Sequence, residues 1–342
     1  MNRRNLLQVL GVGVGVAAAS PAWAQKIRIL PGGAAGEPAA GGNQAGSEVR
    51  RFLGGVRVGE RRAYGGLTVF WLHAPSAPAP FAISTLDEAR AQGGLVVTER
   101  DQAAVSGLVI ENRGPVHVLL LAGEILLGGK QNRIVVEDVL VPPRSGPLTL
   151  PVYCVEQGRW QGAGKQFTTR ETLAAPRLRE KMLERSDQRD VWAEVDRYAK
   201  RAAAPSATGS YQAIHDKPEV QAQQKDVEAA IGGKIAPGAQ GAAVFVAETL
   251  AGLDLFQDGS LFAREWSKLL RASTIEAYGR TIDNLDDRRL RASLDELLKS
   301  AAGADGSVRR GVGAGWLVDL RMSRAKGTAL VAESQVVHVA MI

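Results

Sequence analysis

The chain has 342 residues, 45% hydrophobic and 23% charged, with a formal net charge of +6. Such a chain can bury a sizeable core, so general disorder is excluded, and so small a positive excess excludes the dense basic stripe of a nucleic-acid binder. The single cysteine, Cys154, excludes an internal disulfide; His73, His117, His215 and His338 lie far apart with no HExxH or CxxC spacing, so no metal or cofactor is expected.

Residues 1–24 read as a removable export signal. Arg3-Arg4 and Leu6-Leu7 precede a Gly/Ala/Val-rich run ending at Ala19, and Ala22-Trp23-Ala24 is a small-residue cleavage site with the cut expected after Ala24. The paired arginines and weakly apolar core resemble a twin-arginine leader; an ordinary secretory leader is the alternative. An uncleaved anchor is disfavoured by the short apolar run and by Pro21. The mature chain is therefore expected in the periplasm or outside the cell, with no membrane span left. Residues 25–63 read as a flexible linker and approach, since Gly32 to Gly46 carries almost no large apolar side chain, and residues 64–342 read as a single domain.

Residues 67–160 show strand grammar: short apolar runs between Gly and Pro, at Leu67–Leu72, Leu95–Thr98, Leu108–Glu111, Val116–Leu121, Glu124–Leu127, Ile134–Val141 and Leu148–Val155. Thr85-Leu86-Asp87-Glu88 has capping-box spacing and starts a short helix. Ala122-Gly123 predicts a tight hairpin. Arg177 to Lys200 predicts an amphipathic helix broken near Ser186-Asp187, and about Pro218 to Ile231 a second helix. A hairpin turning at Ala251-Gly252 is expected over 243–256, then a helix capped by Ser260, a helix near Asp287–Leu298, and two strand-like runs, Gly315–Met322 and Ala329–Ile342. Strands, then helices, then strands without βαβ alternation give an α+β fold with mixed, largely antiparallel sheets of short strands, to which the C-terminal strands return.

Two segments carry candidate chemistry. In Gly123–Arg133, Lys130, Gln131, Asn132 and Arg133 follow a glycine pair inside apolar strands, where unpaired polar groups are costly. Glycine lets backbone N–H groups approach a ligand and the cations supply charge, so an anionic group is a fitting guest; a polar network pinning strand register is the alternative. An extended chain would send Lys130 and Asn132 one way and Gln131 and Arg133 the other unless it turns. In the second segment Cys154 and Glu156 share a strand face, with Arg159 and Trp160 beyond Gly158 placed to clamp a planar or phosphorylated ligand, or to finish a core edge. Cys154 as a nucleophile would need a histidine brought close by pairing, His117 being the candidate. Glu124 and Glu156 together would make an acid/base pair. Glu248 and Asp254 read as surface charges, and Arg177 to Arg201 as a solvated helix face.

GEILLGGKQNR (Gly123–Arg133), VPPRSGPLTLPVYCVEQGRW (Val141–Trp160), LDLF (Leu253–Phe256) and FAREWSKLLRASTIEAY resemble the ARG and rhodanese-phosphatase-superfamily-associated protein domain family, from about Gly65 to the C-terminus. The resemblance implies a single α+β domain, and motif positions at Glu124, Lys130, Gln131, Asn132, Arg133, Glu156, Arg159 and Trp160. The family's name implies a link to ADP-ribosylglycohydrolases and hence to ADP-ribose or NAD, although an export signal places this copy away from cytoplasmic NAD; no catalytic role carries over. Three readings follow. The first is a binding module for a small anionic, nucleotide- or sugar-phosphate-like ligand. The second is a hydrolase using Glu124 or Glu156, and the third a non-catalytic envelope scaffold. No protein partner is indicated.

Overall fold

Strand grammar at both ends of the domain and helical spacing in its middle survive in the computed structural model, which describes residues 40–75, 80–100, 106–159, 164–280 and 286–342. The leader and Trp160 lie outside the described residues. The first part runs α1 (Ala40–Gly54), β1 (Arg57–Tyr64), β2 (Leu67–His73), β3 (Ile83–Thr85), α2 (Leu86–Ala91), β4 (Leu95–Glu99), β5 (Gly107–Asn112), β6 (His117–Leu120), β7 (Ile125–Gly128), β8 (Arg133–Val135), β9 (Val139–Val141), β10 (Leu148–Cys154) and β11 (Phe167–Thr168). Helices follow: α3 (Pro176–Leu183), α4 (Gln188–Arg201), α5 (Gln212–His215) and α6 (Pro218–Val227), the last running into a π-helical turn at Glu228–Gly232. Next come β12 (Gly241–Val246), β13 (Thr249–Phe256), α7 (Gly259–Ala277) and α8 (Asp287–Ala302), then β14 (Val308–Arg310), β15 (Trp316–Arg321), β16 (Lys326–Ala332) and β17 (Gln335–Met341).

The fold is α+β. Eight antiparallel strands form one sheet in the order β1-β2-β12-β13-β17-β16-β15-β14, so the C-terminal strands return to a sheet that β1 and β2 begin. Its side chains alternate with the two-residue period of a strand. Phe70, Leu72, Leu253 and Leu255 point to one face, where α1 and α8 cover them. Val69, Trp71, Val244 and Phe256 point to the other, where α7 docks through Trp266, its ring 4.9 Å from that of Trp71.

The chain between β2 and β12 builds a second layer on that α7 face. Six strands, β11-β7-β8-β10-β5-β4, curl until their edges meet at the Thr98–Gln166 bridge. Strand alternation again sorts the side chains: Leu126, Val135 and Val152 face inward on Val97 and Ile110, while Ile125, Ile134 and Tyr153 face outward onto α3 and α4. A three-stranded sheet, β3-β6-β9, and α2 fill the interior. Thr85 and Glu88 make the expected capping box. No helix among the described residues is long and apolar enough to cross a membrane.

Several expectations are corrected. Residues 40–54 are a packed helix rather than a linker, because Ala45, Val49, Phe52 and Leu53 recur at helical spacing among small residues and bury one stripe. Ala122-Gly123 is no hairpin: β6 pairs with β3 and β9 and β7 with β8 and β11, so the turn carries the chain from one sheet to another. The run 134–141 splits into β8 and β9 in different sheets. The β12–β13 turn falls at Ala247-Glu248, and Glu333-Ser334 folds the run 329–342 into a hairpin; Ala247, Glu333 and Ser334 all take positive φ. Asp258, not Ser260, caps α7.

Because Phe52 is buried against the large sheet, Phe52→Ala is expected to lower unfolding free energy by about 3 kcal/mol in urea titration. An unchanged midpoint would show α1 to be loosely attached.

Candidate functional site

The turn Gly128–Asn132 between β7 and β8 gathers most of the candidate side chains. Gly128 and Gly129 take positive φ, and this reversal buries Gln131, Asn132 and Arg133 together, which simple alternation would not. Cys154 pairs with Arg133 across β10 and β8, so the chain leaving β10 passes beside that turn. Glu156 accepts from the Asn132 amide at 3.1 Å, from Thr208 Oγ1 at 2.7 Å and from Arg159 Nε at 2.9 Å. Arg159 also donates to Gly129 O at 2.9 Å and Asn132 Oδ1 at 3.0 Å. Gln131 Nε2 donates to Glu156 O at 2.7 Å, and Arg133 to Gln131 O at 2.8 Å. Burial would raise the Glu156 carboxyl, but Arg159, Thr208 and the amide outweigh it and hold it below the ordinary carboxylate range. Lys130 projects to solvent. Glu156 and Arg159 answer each other and pin the turn, whereas Arg133 has Glu99 at 3.9 Å, and its Nε and Gln131 Oε1 are buried without a hydrogen-bond partner among the described residues.

Cys154 is buried, and that burial pushes its thiol up to about 11, away from a reactive thiolate. His117 sits on β6, in a different sheet.

Glu124 belongs to another constellation. Its carbonyl accepts from the Val135 amide at 3.0 Å, three residues along β8 from Asn132, and its carboxylate shares no partner with Glu156. Lys268 of α7 bonds Glu124 Oε1 and lies 2.8 Å from both Asp87 Oδ2 and Glu265 Oε2, while Glu124 Oε2 accepts from the Leu121 amide at 3.1 Å. Three carboxylates thus surround one ammonium, shielded from solvent. Burial, then the two neighbouring carboxylates, push the Glu124 carboxyl well above its usual range. Burial alone would lower Lys268, yet its carboxylates keep it charged.

A second buried cluster flanks the same turn. Arg179 of α3 donates to both Asp254 oxygens, at 2.9 and 2.6 Å, and to Ala122 O at 3.2 Å. His338 bridges Asp254 (3.2 Å) and Asp138 (2.6 Å), and Asp138 accepts from the Ala122 amide at 2.8 Å. Both backbone groups of Ala122 are therefore held by side chains of this cluster. Gly123 has φ +100, and a Cβ there would lie 2.6 Å from Arg179 Cγ, so only glycine fits.

These partners correct two readings: Asp254 is not a surface charge, and Arg179 and Glu194 are buried on the helices expected to present a solvated face. The available signal was a charge interrupting an apolar run, as in Leu253-Asp254-Leu255 and Val337-His338-Val339, which requires a buried partner. No group of His, Cys, Asp or Glu among the described residues is placed to hold a metal ion.

Open space lies around the β15–β16 turn. One cleft of about 330 Å³ is lined by Arg177, Arg280, Arg324 and Lys326 together with Glu180 and Glu276. A second, about 410 Å³, shares Leu250 and Met322–Ala325 with it and is walled by Leu290, Leu294 and Leu297 of α8. A third, about 130 Å³ and mostly polar, touches the first only through Lys326. Neither Glu124 nor Glu156 lines any of the three.

Burial would lower His338, but Asp138 and Asp254 raise it from 6.5 to about 9. A folded-state pKa above the unfolded value gives stability that is complete below about 6.5 and lost as pH rises through about 9, and the raised Glu124 acts in the same direction. Melting temperature is therefore expected to fall between pH 6.5 and 9, with the slope flattened in His338→Gln. A flat wild-type profile would contradict a protonated His338. Gly123→Ala should cost about 2 kcal/mol or more in denaturant titration, since it combines left-handed strain with a clash; a neutral substitution would show the turn to be free to relax.

Searches of curated proteins and of solved structures give no match. The profile of the ARG and Rhodanese-Phosphatase-superfamily-associated Protein domain, ARPP-1, matches residues 55–342, spanning all three sheets and both buried charge clusters. The chain belongs to the ARPP-1 domain family.

Proposed function

We propose that the protein is an exported binding domain for a small anionic, nucleotide- or sugar-phosphate-like ligand, seated in the joined clefts around the β15–β16 turn. The observation that carries this reading is the lining of the larger polar cleft, where four cations face two carboxylates in about 330 Å³ of open space. Arg324 is the least committed of them: its side chain is 83% exposed and its nearest carboxylate, Glu296, lies 3.9 Å away. The adjoining cleft offers Leu250, Leu290, Leu294, Leu297 and Met322 for the flat, less polar part of such a ligand. Export rests on the Arg3-Arg4 leader and the Ala22-Trp23-Ala24 cleavage site.

The test is calorimetric titration of the mature chain with ADP-ribose, NAD and AMP. At least one should bind with measurable heat, and Arg324→Glu, at an exposed position that leaves folding intact, should weaken it about tenfold or more, the scale of one charge-assisted hydrogen bond. Absence of heat from all three, or unaltered affinity in Arg324→Glu, would refute the reading.

A further inference from the structure

We infer that the smallest cleft is a separate seat for a single oxyanion group of the phosphate type, gripped by Arg185 and Arg309 with Thr328 at its floor. Five elements build it: the end of α3, the β8–β9 turn, β14, β15 and β16. The side chains of Arg185, Arg309 and Thr328 line this space, and each keeps one buried polar atom, Arg185 Nη2, Arg309 Nε and Thr328 Oγ1, without a hydrogen-bond partner among the described residues. Donors so placed are costly to leave unanswered, and an oxyanion supplies several acceptors at once in the planar geometry that guanidinium favours.

The charge balance points the same way. Arg309 Nη1 lies 2.8 Å from Glu137 Oε2, and both arginines act on this one carboxylate. Burial pushes the Arg309 guanidinium down and the nearby Arg185 adds like-charge repulsion, which a bound anion would relieve. The remaining charges facing the cleft are Glu184, paired with Lys181 outside it, Lys326, also paired with Glu184, Asp319, which accepts from Ser307, and exposed Arg321. Cations therefore outnumber carboxylates by one around a space of about 130 Å³, room for one oxyanion group and little more.

The backbone at Arg185 supplies a test. Ser186 N–H donates to Lys181 O at 3.1 Å and Arg185 N–H to Met182 O at 3.0 Å, closing α3 in the pattern whose left-handed residue is usually glycine. Arg185 occupies that position at φ +50. Ala203 closes α4 at φ +46 with the same two bonds, so the left-handed turn is local and Arg185→Gly relieves it while removing only the side chain.

The experiment adds inorganic phosphate to the mature protein at constant ionic strength, with chloride as the control, and follows the rise in melting temperature and the heat of binding. Phosphate should stabilise the parent and Arg324→Glu alike, and should lose at least tenfold in affinity in Arg309→Lys and in Thr328→Val. Arg185→Gly is the decisive variant: it should melt at or above the parent yet no longer respond to phosphate, which a merely structural arginine would not do. No phosphate response in the parent, or a response that survives Arg185→Gly, overturns the inference. A phosphate response abolished by Arg324→Glu alone also overturns it, placing the anion in the larger cleft, and so separates this inference from the function proposed above.

Discussion

The crossing turn Leu121–Glu124 is the constraint on which the two layers depend. It carries the chain from the inner three-stranded sheet to the curled one, directly over the large sheet, and no strand pairing of β6 with β7 secures it. Instead Lys268 holds it through Glu124, while Asp138 and Arg179 hold both backbone groups of Ala122. Ions buried this deeply contribute little net stability over an apolar packing, because desolvation offsets their attraction. What they supply is intolerance of alternatives: removing one partner strands the others away from solvent, so the layers have one relative placement.

The same elements that brace the turn also present the basic clefts. Asp138 points inward to His338 while its neighbour Glu137 pairs outward with Arg309. Arg179 is buried on α3, and Arg185 stands just past that helix's end. His338 on β17 lies beside β16, whose Thr328 floors the smallest cleft. Of the elements that present these cations, α3 is anchored by the buried Arg179–Asp254 pair and β17, beside β16, by His338, so any ligand the clefts take would meet a rim already held in place.

Much of this was legible in the amino-acid order. The capping box at Thr85, the break at Asp187 and the return of the last strands follow from local rules that the tertiary structure does not override. The segments Gly123–Arg133 and Leu148–Arg159, singled out for their polar residues, lie on neighbouring strands, with Glu156, Asn132 and Arg159 in contact. What spacing could not show is which charges find each other across layers. Glu124 and Lys268 are 144 residues apart, and Asp138 and His338 are 200 apart. The clefts were equally hidden, because Arg185, Arg309 and Lys326 come from three separated stretches that look like ordinary surface. Helix α1 escaped because its few apolar residues are diluted by glycine and alanine.

The most direct measurement is nuclear magnetic resonance of the arginine Nε–Hε groups while phosphate is added to the protein. If the motif arginines are architecture and the rim is the binding surface, the resonances of Arg185 and Arg309 shift and saturate while those of Arg133, Arg159 and Arg179 stay in place. Saturable shifts at Arg133 and Arg159, with Arg185 and Arg309 unmoved, would return the site to the β7–β8 turn and contradict the account.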